Sequence, residues 1–455
     1  MKLPLSEVAR VAGGSLQGED RTVTGVAVDS RSVKPGDLFV AMPGERVDGN
    51  RYVSAAIEAG AAGVLSSREH GAVPVVVVPD AGEALLDLAR AHRSGLRARV
   101  VGITGSVGKT SVKDLTATVL GSELTVVASP GSYNTEVGLP LTLLAAEPST
   151  DVVVCEMGSR GKGHVALLCD VARPHVGVVT SVGPAHLEMF GSLEAVADAK
   201  AELVQALDGA GTAVLNADDP VVRGFSARTP ARVVSYGLGE GADVSGRSLE
   251  LDPGGRPSFD ISWQGASHRV ELPIPGDHMA SNALAACAVG VVLGLSLESC
   301  ADSLKAATLS PSRMETFTTA DGIVVVNDAY NANPMSMAAA LRSARWIARG
   351  GSCVAVLGEM AELGEVSAIE HERIGELVAR LGIDHLVVVG EEAAAIAAGA
   401  LREGVEPDRV HRAGDPDAAL SLVRRLVHPG DAVLVKASRR AALERVAFGL
   451  RGDAA

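Results

Sequence analysis

The sequence predicts an α/β protein built of three units in series, and three observations carry that reading. The chain has 455 residues, and domains of about 150 residues are common. Short Val-rich runs bounded by Gly and Pro alternate with Ala-rich stretches of helical period along most of it, the pattern of a mainly parallel sheet covered by helices on both faces. Between one such run and one such stretch stands Gly105-Ser106-Val107-Gly108-Lys109-Thr110.

Residues 1–96 hold the strand-like runs TVTGVAVDS, DLFVAMPG, AAGVLSS and VPVVVVPD, which make a first small α/β unit. From Arg97 the order becomes strand, glycine loop, helix, in RVVGITGSVGKTSVKDLTATVLG. Further strands are expected at DVVVCEMG, HVGVVTSVG and TAVLNADD, with a helix at SLEAVADAKAELVQAL. RVVSYGL, SFDISWQ and SHRVELPI, within residues 232–274, read as an antiparallel insertion. The third unit starts near Pro311, with strands at IVVVND, SCVAVLG, HLVVVG and AVLVKAS and helical segments at 334–349, 367–382, 391–403, 416–427 and 439–450. Met279 to Leu297 is free of charge and nearly reaches the roughly 20 residues of a membrane helix. Its Ser281, Asn282, Gly290, Gly294 and Ser296 favour a buried helix instead.

Composition narrows the function. Lys and Arg number 41 against 55 Asp and Glu, a net charge of −14, which disfavours gripping nucleic acid or an anionic membrane. Aromatics are 3%, so mainly Ala, Val and Leu must pack the core, and base-stacking platforms are disfavoured. Cys155, Cys169, Cys287, Cys300 and Cys353 lie far apart with no C-x-x-C pair, which fits a reducing cytosol and argues against a disulfide scaffold, a zinc ribbon or an iron-sulfur site. The first residues carry Lys2, Glu7 and Arg10 without an apolar run, unlike a signal peptide.

The glycine loop carries the chemistry. Gly105 and Gly108 let backbone N–H groups close around phosphates, Lys109 neutralises their charge, and Thr110 can hold Mg²⁺. A fully spaced phosphate loop needs glycine where Ile103 stands, so the match is to the shorter G-x-x-G-K-T form. Glu156 ends the apolar run Val152-Val153-Val154-Cys155. Ligands of open parallel sheets bind beyond the carboxyl ends of strands, and a carboxylate there can hold Mg²⁺ or simply be solvated. His186, Lys200 and Asn282 each have a plain reading: a satisfied polar group, a solvated charge and a helix cap. Asp328-Ala329-Tyr330-Asn331-Ala332-Asn333-Pro334 is equally a ligand-binding cluster or an Asx-turn leading into a helix.

Together these residues resemble the Mur ligase family, the ATP-dependent amide-forming enzymes of peptidoglycan synthesis. The phosphate loop and GPAHLE resemble the family at large. NDAYNANPMSM, LGEMAELG followed by His371, and VLVKASR resemble the branch that adds D-alanyl-D-alanine. The D-N-P-R tetrapeptide common in the diamino-acid-adding branch is absent. The resemblance covers essentially the whole chain and implies an α/β, three-domain Mur ligase architecture. Residues 1–96 would bind the UDP-sugar, 97–311 would form a central P-loop ATPase domain, and 312–455 a C-terminal Rossmann-like domain for ATP and D-alanyl-D-alanine. It also implies that ATP phosphorylates the free carboxylate of UDP-N-acetylmuramoyl-tripeptide, and that the D-alanyl-D-alanine amine attacks the acyl phosphate. The expected setting is a cytoplasmic monomer with no nucleic-acid partner and no membrane insertion.

Residue by residue, the resemblance assigns Gly105, Ser106, Val107, Gly108, Lys109 and Thr110 to the phosphates, and Asn282, Arg313 and Asp328 to the rest of ATP. It assigns Thr110 and Glu156 to a first Mg²⁺. His186 and Lys200, the latter as an N-carbamate made with CO₂, go to a second Mg²⁺; with Lys109 these form the catalytic set. Ser30 and Arg31 match the UDP-sugar motif, while Asn134, Thr135, Glu136 and Arg160 resemble substrate-side positions. Tyr330, Asn331 and Asn333 are candidates for the dipeptide side. Two departures stand out: Ala437 where the branch often has Gly, and Asn50 where it often has His. The rival readings are a related ligase diverted to another amino acid, and a nucleotide-dependent switch that keeps only the phosphate loop.

Overall fold

Three large sheets follow one another along the chain in the computed structural model, which describes residues 1–44, 47–71, 73–185 and 187–452, beside a two-stranded pairing of Leu3–Pro4 with Thr22–Val23. The first has five strands: Gly25–Ala27, Asp37–Val40, Gly63–Ser66 and Val75–Val77 run parallel, with Ser15–Gln17 antiparallel at the edge. Its long helix Ala81–Gly95 is capped by the Asp80 carboxylate, which accepts from the N–H groups of Gly82 and Glu83.

The second sheet has nine strands and places the glycine loop. Its first six run parallel in the spatial order Val126–Ala128, Val152–Glu156, Arg99–Thr104, Val176–Val179, Thr212–Asn216 and Arg232–Gly237. The chain leaves Arg99–Thr104 for the far edge, returns beside it on Val152–Glu156, then crosses to its other side on Val176–Val179. A crevice opens at such a reversal of strand order. Both Gly105 and Glu156 sit at its carboxyl end. The central strands Val152–Glu156, Arg99–Thr104 and Val176–Val179 are buried on both faces, which is why they read as unbroken Val-rich runs, whereas the edge strand Val126–Ala128, which the sequence did not announce, is only half-buried.

One sequence expectation needs correction here. Residues 232–274 are not a separate antiparallel insertion, because Arg232–Gly237 extends the parallel sheet and pairs in parallel with Val244–Leu251 through Tyr236 and Gly237. Only the pairings of Val244–Leu251 with Pro257–Trp263, and of that strand with Ala266–Glu271, are antiparallel. The strand Val244–Leu251 escaped notice because its second half is exposed, and a register shift between Arg247 and Glu250 breaks its alternation.

The third sheet has six strands. Val324–Asn327, Ala432–Lys436, Cys353–Leu357, His385–Val389 and Val410–Ala413 run parallel in that spatial order, with Glu315–Thr318 antiparallel beside the first. The two strands that the sequence did not announce, Glu315–Thr318 and Val410–Ala413, are the edges, only half buried and polar in part. The charge-free stretch forms the buried helix His278–Val292, packed on the helix Lys109–Gly121. A Cβ on its Gly290 would lie 2.8 Å from Val119 Cγ1. Among the described residues no helix is long and apolar enough to cross a membrane. All five cysteines are buried and free, and burial pushes the Cys155 thiol up to about 12, which makes it inert at neutral pH.

Candidate active site

A cleft of about 800 Å³ lies where the second sheet faces the third. The loop after Arg99–Thr104 forms its floor. Gly105 has φ +145°, and a Cβ there would sit 2.0 Å from Thr180 Oγ1. The loop is fixed from the neighbouring strand: Ser106 N–H donates to the Ser181 carbonyl at 2.8 Å, and Val107 N–H to Ser181 Oγ at 3.1 Å. Lys109 Nζ folds back onto the Gly105 carbonyl at 2.6 Å. Burial pulls its pKa down, opposed by the Glu156 carboxylate and reinforced by the Arg313 guanidinium. Gly105→Ala is expected to weaken ADP binding by roughly tenfold or more, since it demands a disallowed backbone and a displaced Thr180. Calorimetry giving an unchanged affinity would show that the loop tolerates a Cβ.

Thr110 Oγ1, on the first turn of Lys109–Gly121, donates to Glu156 Oε2 at 2.7 Å, and Asn134 Nδ2 donates to Glu156 Oε1 at 2.7 Å. Glu156 is only 1% exposed, so the solvated-loop reading of it is excluded. Lys200 is likewise not a surface charge. It is 2% exposed on the helix Leu193–Gln205, and its Nζ donates to Ser159 Oγ at 2.6 Å. Burial holds its pKa well below the ordinary lysine value, and the nearby Lys109 charge lowers it further.

The third unit supplies the opposite wall. Arg313 stacks over the Tyr330 ring at 4.2 Å and donates from Nη2 to Ser132 Oγ at 2.9 Å, while its buried Nε has no hydrogen-bond partner among the described residues. Its neighbours Ser312 and Met314 both have positive φ, 57° and 48°, the kind of strain that collects where a side chain must be aimed. Asp328 accepts from Met314 N–H at 3.0 Å and from Lys436 Nζ at 2.5 Å. Lys436 also donates to the Asn331 carbonyl at 2.9 Å, tying the segment 328–333 to the strand Ala432–Lys436.

The cleft therefore gathers Ser106, Val107, Gly108, Lys109, Thr110, Glu156, Asn134, Thr135, Glu136, Arg160, Asn282, Arg313, Asp328, Tyr330, Asn331 and Asn333. Asn282 is not a helix cap. Asp277 caps His278–Val292, and Asn282 Oδ1 lies 2.8 Å from where a Gly108 Cβ would be. The side chain of Asn333, by contrast, is committed to a capping box with Ser336 at the start of Pro334–Ile347. Ser30 and Arg31 lie apart, in a short exposed turn of the first unit. There the Asp29 carboxylate pairs with the Arg31 guanidinium at 2.6 Å, which holds Asp29 at about 2. His186 lies outside the described residues. Sequence reasoning missed Ser132, Ser159 and Lys436, which also line the cleft; the last sits in the quoted VLVKASR, where its position at the end of a strand was the available signal.

A phosphate loop at the reversal of a parallel sheet, closed over by a second α/β unit that brings an arginine and a carboxylate, defines a two-unit ATP-using enzyme. Three family models match the chain: Mur ligase family, catalytic domain, over 22–93; Mur ligase middle domain over 103–290; and Mur ligase, glutamate ligase domain, over 312–439. The chain belongs to the Mur ligase family, and it is an ATP-dependent, ADP-forming amide ligase. It is 43% identical to the UDP-N-acetylmuramoyl-tripeptide--D-alanyl-D-alanine ligase of Mycobacterium tuberculosis (strain ATCC 25618 / H37Rv), over 100% of this chain and 98% of that protein. Crystal structure I of MurF from Acinetobacter baumannii superposes with a TM-score of 0.88 at 28% identity, covering 100% of this chain and 99% of that one. MurF ligase from Thermotoga maritima in complex with ADP gives 0.82 at 29% identity, covering 95% and 98%. The three-domain architecture is that of these structures.

Proposed function

We propose that this chain joins D-alanyl-D-alanine to UDP-N-acetylmuramoyl-tripeptide, making the pentapeptide precursor of peptidoglycan in the cytoplasm. The observation that carries the proposal is the end-to-end similarity to a ligase named for that reaction. The cleft supports it, because phosphate-binding and carboxylate-rich groups face each other there. In this reading 1–96 holds the UDP-sugar, with Ser30 and Arg31 on it, 97–311 holds ATP and the peptide carboxylate, and 312–455 brings the dipeptide amine.

A carboxylate is a poor electrophile, and ATP converts it to an acyl phosphate with phosphate as leaving group. Lys109 would leave the Gly105 carbonyl for the γ-phosphate and balance the charge that gathers as two anions meet. Arg313 and Asp328 would fix the nucleotide from the third unit, and Asn282 would border it beside Gly108. The amine of D-alanyl-D-alanine then attacks the acyl carbon; its proton leaves and the C–O bond to phosphate breaks.

The donor set of Thr110 and Glu156 is all oxygen, with Ser132 Oγ 3.4 Å from Thr110 Oγ1, which fits a hard divalent cation. When bound, Mg²⁺ would screen the charge between carboxylate and γ-phosphate. A second Mg²⁺ would fall to His186 and to Lys200 as its N-carbamate, since an ammonium group would repel it. Phosphate release from ATP tests the whole reading. Turnover is expected only with both UDP-N-acetylmuramoyl-tripeptide and D-alanyl-D-alanine present. Faster turnover with another amine would favour the diverted ligase, and turnover without either would favour the switch.

A further inference from the structure

Two adjacent charged residues one turn beyond the phosphate loop have no part in the chemistry above. Lys113 is 2% exposed. Its Nζ donates to the carbonyls of Ser129 at 2.7 Å and Gly131 at 3.1 Å, and pairs with Asp114 Oδ1 at 2.6 Å. The other oxygen of Asp114 accepts from Ser310 N–H at 2.8 Å. One helix turn therefore grips two distant segments. The first, 129–134, carries Ser132 and Asn134 into the cleft, and its Ser129 Oγ accepts from Glu156 N–H at 3.2 Å. The second is the connection into the third unit, three residues before Arg313. Arg313 closes the circuit by donating to Ser132.

A lysine buried this deeply must repay its lost hydration with well-made bonds. It is placed where a Leu would pack more cheaply. We propose that Lys113 and Asp114 are positioning residues, a paired clamp on the phosphate-loop helix. It holds the 129–134 segment and the linker at Ser310 in one mutual register, so that Asn134, Ser132 and Arg313 reach the nucleotide and the peptide carboxylate together. The kinetic part of this rests on the reading given under Proposed function; the geometric part does not.

The test uses Lys113→Met, Asp114→Ala and their double variant in the full chain. Without any substrate, hydrogen exchange is expected to speed at amides 129–134 in Lys113→Met and at 308–313 in Asp114→Ala, while 105–110 stay protected. With substrates, the KM for UDP-N-acetylmuramoyl-tripeptide is expected to rise about tenfold or more, the order expected for losing a charged buried hydrogen bond. ADP affinity should change less than about threefold in Lys113→Met, which leaves the linker before Arg313 held, and should fall in Asp114→Ala, while the double variant should be less than additive, as coupled neighbours are. If Lys113→Met does not fold, Asp114→Asn, which keeps an acceptor for Ser310 and loses the charge pairing, carries the same comparison. Unchanged exchange in both segments overturns the clamp whatever the substrate is. Parallel losses in ADP affinity, KM and kcat in Lys113→Met, or a lowered melting temperature with unchanged kinetics in either variant, would also overturn it, since a purely structural role predicts those. A wild type that ignores the UDP-tripeptide would instead sink the functional reading and leave the exchange result standing.

Discussion

Lys109→Ala is expected to cut turnover by about 10³-fold or more, the size seen when a group aimed at developing charge is removed. Its amine rests on the Gly105 carbonyl at 2.6 Å, inside the loop that would hold the phosphates. Alanine keeps the helix start and frees that carbonyl, so the loop backbone has no reason to move. Stability should scarcely change, for a reason that follows from charge. Burial lowers the folded-state pKa of Lys109, so the unfolded chain binds protons at least as readily, and the amine contributes no pH-linked stability at neutral pH. A melting temperature within ~3 °C of wild type, with phosphate release near background at saturating ATP, is the expected pair. Near-normal turnover would discard the nucleotide assignment.

What the sequence made legible follows from which physics is local. Parallel strands buried on both faces are unbroken apolar runs, so Arg99–Thr104, Val152–Glu156 and Ala432–Lys436 could be read directly. The glycine loop was equally plain, because only glycine tolerates the φ of +145° at Gly105. Two strands were not: Val244–Leu251 lies inside its sheet but its second half is exposed and its register is broken, and Val410–Ala413 is an edge with an exposed side.

The charged groups of the site divide the same way. Lys113, Lys200 and Lys436 lie on elements whose periodicity says nothing about a lysine's surroundings, and each proves buried only when distant segments pack over it. Asn282 satisfies a local rule for a cap, yet Asp277 takes that role. Asn333 satisfies the same rule and does cap. The Asn50 departure also acquires a context: its Oδ1 lies 2.9 Å from His70 Nε2, so a histidine stands beside position 50 even though none occupies it.

Lys200 carries the other large expected effect: Lys200→Ala should be nearly inactive, with activity partly restored by formate or acetate. An ammonium beside Lys109 in a buried site adds positive charge to positive charge. Burial and Lys109 together hold its pKa well below the ordinary value, a shift in the direction of the neutral amine, the form that attacks CO₂. On the proposed reading, addition would form the N–C bond and release one proton, leaving an anionic carbamate. Repulsion from Lys109 would become attraction, and two oxygens of the type a hard cation prefers would be created. The sign of the pH effect follows from the same burial. In CO₂-free buffer, between the folded-state pKa and the unfolded value near 10.5, the unfolded chain holds a proton that the folded chain lacks. Wild-type stability should therefore rise with pH towards 10.5 and fall as pH drops through that window, and Lys200→Met should flatten the slope and be at least as stable at neutral pH. Bicarbonate should speed the wild type after CO₂ depletion and leave Lys200→Ala unmoved. Full activity in Lys200→Ala, or a wild type indifferent to CO₂ depletion, would mean that Ser159 and the amine form only a structural pair and that the carbamate has no part in the reaction.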